Sequence, residues 1–515
     1  MSDERIAGDG AEVAHGIAVA EGRVVPAWIV LLLVCLGQFM VILDISIVNV
    51  ALPSIRTDLG FSASGLQWVV NAYTLAFAGF LLLGGRAADL YGRRRMFLIG
   101  LGVFTLASLA GGLAQNQGML IAARALQGLG GAVLAPATLT ILATSFPEGP
   151  ARARAFGIWG AVAAGGGAAG VLLGGILTDL ISWRWILFVN VPIGAAALIA
   201  ARAVLGESRG VVQHRSLDVS GAVTVTGGLV ALVYAIVRTE TYGWGASQVL
   251  VPLGIAVILL GAFLFIETRV ARAPLMPLRI FRNRSVAGAN LYMLLLGSAI
   301  FSVWYFLSLY FQGVLGYSPL KAGFAFLPQT IAIAAGAQIS SRVVTRLGPR
   351  PLLMVGPTLT ATGLLILTGI SSTSPYFPDL LGPTLLITLG LGLSFPASTL
   401  AATAGIRREE AGLASGLINT NRQIGGSIGL AALATLAANR TASLLAAAGS
   451  GARAATPDAL TSGFARAFGI SGAVCLAAAL VALAIIPSIR QSAAGAVPQP
   501  PTAVPEPGEP TSARR

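Results

Sequence analysis

One carboxylate lies deep inside an apolar stretch: Asp44, in Leu43-Asp44-Ile45-Ser46-Ile47-Val48-Asn49-Val50-Ala51-Leu52-Pro53. Removing a carboxylate from water disfavours its charge, so a carboxyl at such a depth can take up and release a proton. In lipid a lone acid is a functional candidate by default. The plainer alternative is a structural acid held by a neighbouring cation or hydroxyl. Arg124, in Arg124-Ala125-Leu126-Gln127-Gly128-Leu129-Gly130-Gly131, is the cation to set beside it. If the first apolar run crosses a bilayer outward and the fourth returns, then at about 1.5 Å per residue the two side chains fall at comparable depth. Gln127 sits one turn on from Arg124, on the same helix face. Protonating Asp44 would then free Arg124, which makes a switch; a static ion pair is the other reading.

The second half offers a different chemistry. Asn419, Asn421, Arg422 and Gln423 interrupt an apolar run. A cation at mid-membrane costs a few kcal/mol on insertion scales, roughly 2.5 to 3.5. No carboxylate of the second half lies at the depth of Arg422, so it is expected to face a water-filled cavity. Trp304, Tyr305, Tyr310 and Gln312 read either as an interfacial aromatic belt or as a substrate wall. Gln127, Trp304, Tyr305, Asn419, Arg422 and Gln423 are therefore the candidate cavity residues. Two features suggest moving parts. Gly166, Gly170 and Gly174 repeat every four residues and leave one helix face bare, which suits close packing and also a hinge or sliding seam. Gly85, Asp89, Gly92 and Arg93 sit in a basic loop. That loop is either simply solvated or a clamp between two halves, made by a carboxylate at a helix end.

Other chemistries find little support. The two histidines, His15 and His214, lie in polar segments. The two cysteines, Cys35 and Cys475, lie inside apolar runs and have no metal or disulfide spacing. Catalytic residues, cofactors and bound metals are not expected, and the chain reads as a non-enzyme.

These side chains must be positioned by membrane helices. The 515 residues are 55% hydrophobic and only 10% charged, where a soluble domain carries about 25% charge. The net charge of +13 would suggest nucleic acid in a soluble protein; here it fits arginine on cytoplasmic loops, and no nucleic-acid partner is expected. The single lysine, Lys321, reads as GC-rich bacterial coding. A membrane helix needs about 20 apolar residues, and fourteen such runs can be marked. They divide the chain into a cytoplasmic tail (1–26), a six-helix bundle (27–204), two inserted spans (205–285), a second six-helix bundle (286–487) and a Pro- and Ala-rich disordered tail (488–515). The first 25 residues lack the order of a cleavable signal peptide. With both termini inside, one set of alternate loops collects most of the arginine, including Arg86, Arg93 to Arg95, Arg279, Arg282, Arg342, Arg346 and Arg350. The positive-inside rule therefore places that set in the cytoplasm of a cell-membrane protein. Gly85 to Arg94 and Ser341 to Arg350 occupy equivalent places in the two bundles, the mark of a transporter with related halves.

Over residues 27–487 the chain resembles the 14-span drug:proton antiporters of the major facilitator superfamily. Leu43 to Pro53 looks like that family's first-span motif, Gly85 to Arg94 like the superfamily loop signature, and Arg124 to Gly130 like the fourth-span motif. Trp183-Arg184-Trp185-Ile186-Leu187-Phe188-Val189-Asn190-Val191-Pro192, Gly316-Tyr317-Ser318-Pro319 with Ala322, Gly323 and Pro328, and Asn421-Arg422-Gln423-Ile424-Gly425-Gly426 are similar to further family segments. The fifth-span export motif departs at Val171, where the family usually has proline, so that helix should kink less. The resemblance implies an all-α major facilitator fold of two six-helix bundles plus two inserted spans. It implies monomeric, proton-driven export of an amphipathic small molecule from the cytoplasm or inner leaflet, with Asp44 as proton carrier and Arg124 beside it. With one intramembrane acid, a neutral or monocationic cargo fits better than a dication. The rival readings are a proton-coupled importer, a membrane-embedded enzyme, which would need a Ser-His pair or metal cluster, and a sensor, which would need a soluble output domain.

Overall fold

A computed structural model describes residues 16–18, 24–147, 149–209, 216–407, 410–449 and 452–487. The tail readings for 1–15 and 488–515, together with His15, His214 and Arg408, lie outside the described residues. Among the described residues fourteen helices are long and apolar enough to cross a membrane. In lipid every backbone N–H and C=O must be satisfied within its own segment, so apolar runs of this length become helices. They are α1 (Ala27–Leu59), α2 (Trp68–Tyr91), α3 (Arg93–Gly112), α4 (Gln117–Ser145) and α5 (Pro150–Leu180). A sixth crossing joins α6 (Trp185–Phe188) to α7 (Asn190–Val204). Then come α8 (Val219–Tyr242), α9 (Ser247–Phe265), α10 (Arg284–Gly313), α11 (Pro319–Leu347), α12 (Pro349–Ile366), α13 (Leu381–Thr403), α14 (Ala411–Ala448) and α15 (Ala452–Ala484).

The helices pack as two copies of one pattern. In the first half α1 lies against α4, α5 and α7, α2 against α4, and α3 against α4 and α7. In the second half α10 lies against α13, α14 and α15, α11 against α13, and α12 against α13 and α15. The two basic loops singled out in the sequence fall at matching turns, each made by a glycine in a conformation that L side chains rarely adopt: Gly92 at φ 108° and Gly348 at φ 75°. The halves meet along two flanks, α5 on α11 and α2 on α14, and at α1 on α10. The inserted α8 and α9 pack on each other, and α8 covers the α2–α14 flank. The fold is thus all-α, of the major facilitator architecture with fourteen spans.

Three details differ from the sequence reading. A two-stranded antiparallel ribbon, β1 (Gly16–Ala18) with β2 (Val24–Pro26), precedes α1 where only a polar tail was expected. Next, α14 and α15 extend beyond the apolar runs near 411–437 and 464–487, and the alanine-rich extensions hold each other, Thr441 donating to the Ala459 carbonyl at 3.2 Å and Arg440 to Ser462 at 3.3 Å. Finally, the break at Val189 divides the sixth crossing. Val171 lies within α5, which is continuous from Pro150 to Leu180.

Candidate functional site

The first half buries one ion pair in its centre. Asp44 from α1 is 0% exposed and Arg124 from α4 is 1% exposed. Arg124 Nη1 donates to Asp44 Oδ2 at 2.5 Å and to Gln127 Oε1 at 2.6 Å, and Arg124 Nε donates to the Val69 carbonyl at 3.0 Å. Gln127 Nε2 donates to Asp44 Oδ1 at 2.6 Å and to Ser108 Oγ on α3 at 2.7 Å. The guanidinium lies over the Tyr73 ring of α2, 4.6 Å from its centroid. Four helices therefore converge on one carboxylate. They can do so because Gly128 has no side chain: a Cβ there would run into the Tyr73 carbonyl of α2.

A charged pair out of water is expensive and is tolerated only with full hydrogen bonding. Here both carboxylate oxygens are satisfied, so the pair is stable as built and sensitive to any change of charge on either member. Proton uptake by Asp44 would cancel the attraction that holds Arg124. The polar column on α2 above the pair is only partly satisfied. Gln67 Nε2, Asn71 Oδ1 and Tyr73 Oη are buried without a partner. Thr74 Oγ1 and Ser427 Oγ on α14 meet at 2.6 Å across the flank.

The structure redistributes the expected cavity residues. Gln127 belongs to the Asp44 network and lines no cavity, because α4 turns it toward α1 and α3. Tyr305 is 2% exposed and donates to the Ala63 carbonyl in the α1–α2 loop at 3.3 Å, so it joins the halves at the end remote from the termini. Ser308 donates to the Asn49 carbonyl at 2.5 Å and Gln312 to the Val50 carbonyl at 2.8 Å in the same seam. That end is closed. Trp304 is half-buried and packs on Phe326 of α11 at 5.3 Å between centroids. Gln423 is buried at 2% exposure. Asn419 is exposed, donating to the Ser415 carbonyl at 3.0 Å, and Arg422 is half-buried with its guanidinium 5.6 Å from the Phe395 ring centroid. Asn421 instead bonds Asn290 of α10 at 2.7 Å.

The glycine face of α5 is used, and by a neighbour in its own half. Gly166 meets Phe39 and Ile42, Gly170 meets Leu43 and Ser46, and Gly174 meets Ile47, all on α1. The seam between halves on this flank is instead made by Gly175 against Pro319 and Leu320, and by Gly323 against Val171.

At the basic loop, Asp89 pairs with Arg93 one turn on, at 3.4 Å, and makes no bridge to the second half among the described residues. Gly85 packs near Pro136 of α4. The helix end is held by a residue the sequence reading missed. Glu207, beyond α7, accepts the Arg94 and Arg95 backbone N–H groups at 3.2 Å each, and a Cβ at Gly92 would collide with its carboxylate. A carboxylate on the free N–H groups of a helix N-terminus suits both the hydrogen bonds and the dipole. Glu207→Ala should cost about 1 kcal/mol, and the first-turn amides of α3 should exchange roughly fivefold faster with deuterium. Unchanged exchange would show that the clasp is idle. The N-terminus of α14 has an acid of its own. Glu410 bonds Arg407 at 2.9 Å and Arg279 at 2.7 Å, and the Arg407 hydrogen bond holds its carboxyl below the ordinary carboxylate range.

With this geometry in hand, comparison with known proteins is informative. The Major Facilitator Superfamily model matches residues 34–430. The cephamycin export protein of Amycolatopsis lactamdurans is 44% identical over 464 residues, covering 90% of this chain and 93% of the relative. The puromycin resistance protein of Streptomyces alboniger is 41% identical over 479 residues, covering 92% and 94% respectively. Among solved structures, a bacterial homolog of the human lysosomal transporter Spinster, inward-facing and unoccupied, superposes with a TM-score of 0.64 at 16% identity over 90% of this chain and 99% of that one. A D-xylose-proton symporter gives 0.63 at 14% identity, over 90% and 98%. At such identities the superpositions speak for the fold alone.

Proposed function

The chain belongs to the Major Facilitator Superfamily, and we propose that it is a proton-coupled antiporter exporting amphipathic drugs, antibiotics or secondary metabolites across the cytoplasmic membrane. The observation that carries the proton coupling is the sealed Asp44–Arg124 pair, a single protonatable group set against a cation that depends on it. The export reading draws on the relatives, whose names record cephamycin export and puromycin resistance. The end rich in arginine faces the cytoplasm by the positive-inside rule, so the closed seam of Tyr305, Ser308 and Gln312 is the outer gate. One chain holds both halves and is the working unit.

In this scheme the halves rock about the α5–α11 and α2–α14 flanks. A proton arriving at Asp44 removes the charge that Arg124 and Gln127 clasp. Arg124 then keeps hydrogen-bond acceptors in the neutral carboxyl, the Val69 carbonyl and Gln127, and the Tyr73 face, but loses its counter-charge, which biases the bundle toward its other arrangement. A proton moving down the membrane potential supplies roughly 2.3 kcal/mol per 100 mV, and a tenfold solute gradient needs about 1.4 kcal/mol. For a neutral cargo one proton thus suffices for a tenfold gradient.

The test uses everted membrane vesicles with an acid interior and a panel of fluorescent amphiphiles of positive, zero and negative charge. At least one should accumulate about tenfold inside, and collapse of the gradient by a protonophore should release it. Gradient-driven loss of a preloaded dye from the vesicles, with no uptake of any member, would establish an importer and end the export reading.

A further inference from the structure

Two arginines set within the spans, the buried Arg124 and the half-buried Arg422, are treated differently by the fold. Arg124 is neutralised by Asp44 at 2.5 Å. Arg422, on α14, has no hydrogen-bond acceptor and no carboxylate partner among the described residues; it has only the Phe395 ring of α13. The neighbours of α14 show where it points. Asn421, Gly425 and Gly429 face α10, Gly416 and Thr74-bonded Ser427 face α2, and Leu417, Thr420 and Ile424 face the pocket under the inserted α8 and α9. At 100° per residue, the remaining sector lies opposite the inserted spans and carries Ser415, Asn419 and Arg422; Gly426, one turn on, is covered by Phe301 of α10, and α15 meets α14 farther along, at Ala437 and Thr441. That sector looks into the space between the halves, as the exposure of Asn419 agrees.

Resting on the export reading above, we propose that Arg422 receives an anionic group of the exported molecule, a carboxylate foremost, with Asn419 one turn away as a second donor and Phe395 as an apolar floor. A guanidinium presents a planar fork of donors that matches a carboxylate in a bidentate pair. An uncompensated cation at this depth is costly, and an anionic cargo removes that cost whenever the site is filled. The Asn419 amide is donated only to the Ser415 carbonyl one turn back, which leaves its second N–H for a ligand. This differs from the expectation of a neutral or monocationic cargo, which considered Asp44 alone. It also changes the charge carried per cycle. Exporting a monoanion against one proton moves two charges in the same electrical sense, whereas a monocation against one proton moves none.

The test is equilibrium binding to the purified full chain in lipid nanodiscs, using a fluorescent amphipathic carboxylic acid and its methyl ester. The acid should bind more tightly than the ester. Arg422→Gln should weaken the acid roughly ten- to hundredfold and leave the ester within about twofold, while Arg422→Lys should restore part of the loss. Equal affinity of wild type for acid and ester overturns the proposal without recourse to any variant. So does an equal loss for both ligands in Arg422→Gln, since that marks a packing role. Should Arg422→Gln fail to fold, Asn419→Ala at the exposed neighbour is the second variant; it should weaken the acid selectively, and an unchanged acid-to-ester ratio counts against the site. Binding is separable from flux. An acid that binds through Arg422 but is never pumped would sink the export reading alone, and pumping of esters and cations with the acid ignored would sink the anion site alone.

Discussion

Replacing Asp44 with Asn should abolish proton-driven accumulation in everted vesicles while the protein still inserts and binds its cargo. A side chain that cannot ionise cannot carry a proton through the cycle, so a gradient of about tenfold should fall to none. The substitution also has a structural cost. Asn keeps an oxygen for Arg124, but its amide nitrogen would face Gln127 Nε2, itself a donor to Asp44 Oδ1 at 2.6 Å, until one amide flips. Arg124 then remains buried without a counter-charge, and removing one partner of a buried pair costs about 3 to 5 kcal/mol. A lowered melting temperature should therefore accompany the loss of pumping. The same charge change occurs transiently whenever Asp44 takes a proton, so the variant mimics the protonated state. Full pumping by Asp44→Asn would move the proton site elsewhere and leave Asp44 a structural acid.

The largest purely structural effect is expected at Gly425. A methyl group there would lie 2.8 Å from the Leu294 carbonyl carbon and 3.0 Å from its Cα, and closer still to the carbonyl oxygen. All three are backbone atoms of α10, so no rotamer change relieves the clash and the helices must part. Overpacking costs about 1 to 3 kcal/mol where side chains can adjust, and parting two long helices should exceed that range. Gly425→Ala should thus yield little folded protein, judged by monodispersity in detergent. Gly412, early in the same helix, has nothing within 4 Å of its missing Cβ, and Gly412→Ala should be neutral or stabilising by up to about 1 kcal/mol. If the two variants behave alike, the close approach of α10 and α14 is not as described.

The same contrast shows what the sequence could and could not reveal. The fourteen spans and the two related halves were legible because length and hydropathy are properties of single segments. The meeting of Asp44 with Arg124 was legible too, since span direction and rise per residue fix depth. Which way a side chain turns around its helix is set by neighbours, and that is where reading failed. Gln127 was assigned to a cavity and lies against Asp44 instead. Tyr305 looked like belt or wall and instead joins the halves through the Ala63 carbonyl, a contact that depends on how the halves meet. Glu207 escaped notice because its role exists only once the segment after α7 folds back over the start of α3. The three-residue strands around Gly16–Ala18 and Val24–Pro26 are too short to leave a pattern. In contrast, the Gln67, Asn71 and Thr74 column had a signal, polar residues at helical spacing in an apolar span, and could have been marked.

The inserted helices give the two flanks unlike mechanics. α8 is fastened to the first half by polar and backbone contacts: Thr226 occupies the space left by Gly79, and Arg86 Nε donates to the Ser216 carbonyl at 2.9 Å. Its apolar chains Leu229, Val233 and Val237 cluster with Ala431, Ile424 and Ile428 of α14 and also with Leu75 of α2. α8 thus stands between α2 and α14 as an apolar layer, and any relative shift of those two helices must shear along it. The opposite flank has no such plate; there Gly175 and Gly323 bring bare backbones together. Symmetry of fold therefore does not mean symmetry of seams: one flank carries an interposed helix, the other is closed backbone to backbone.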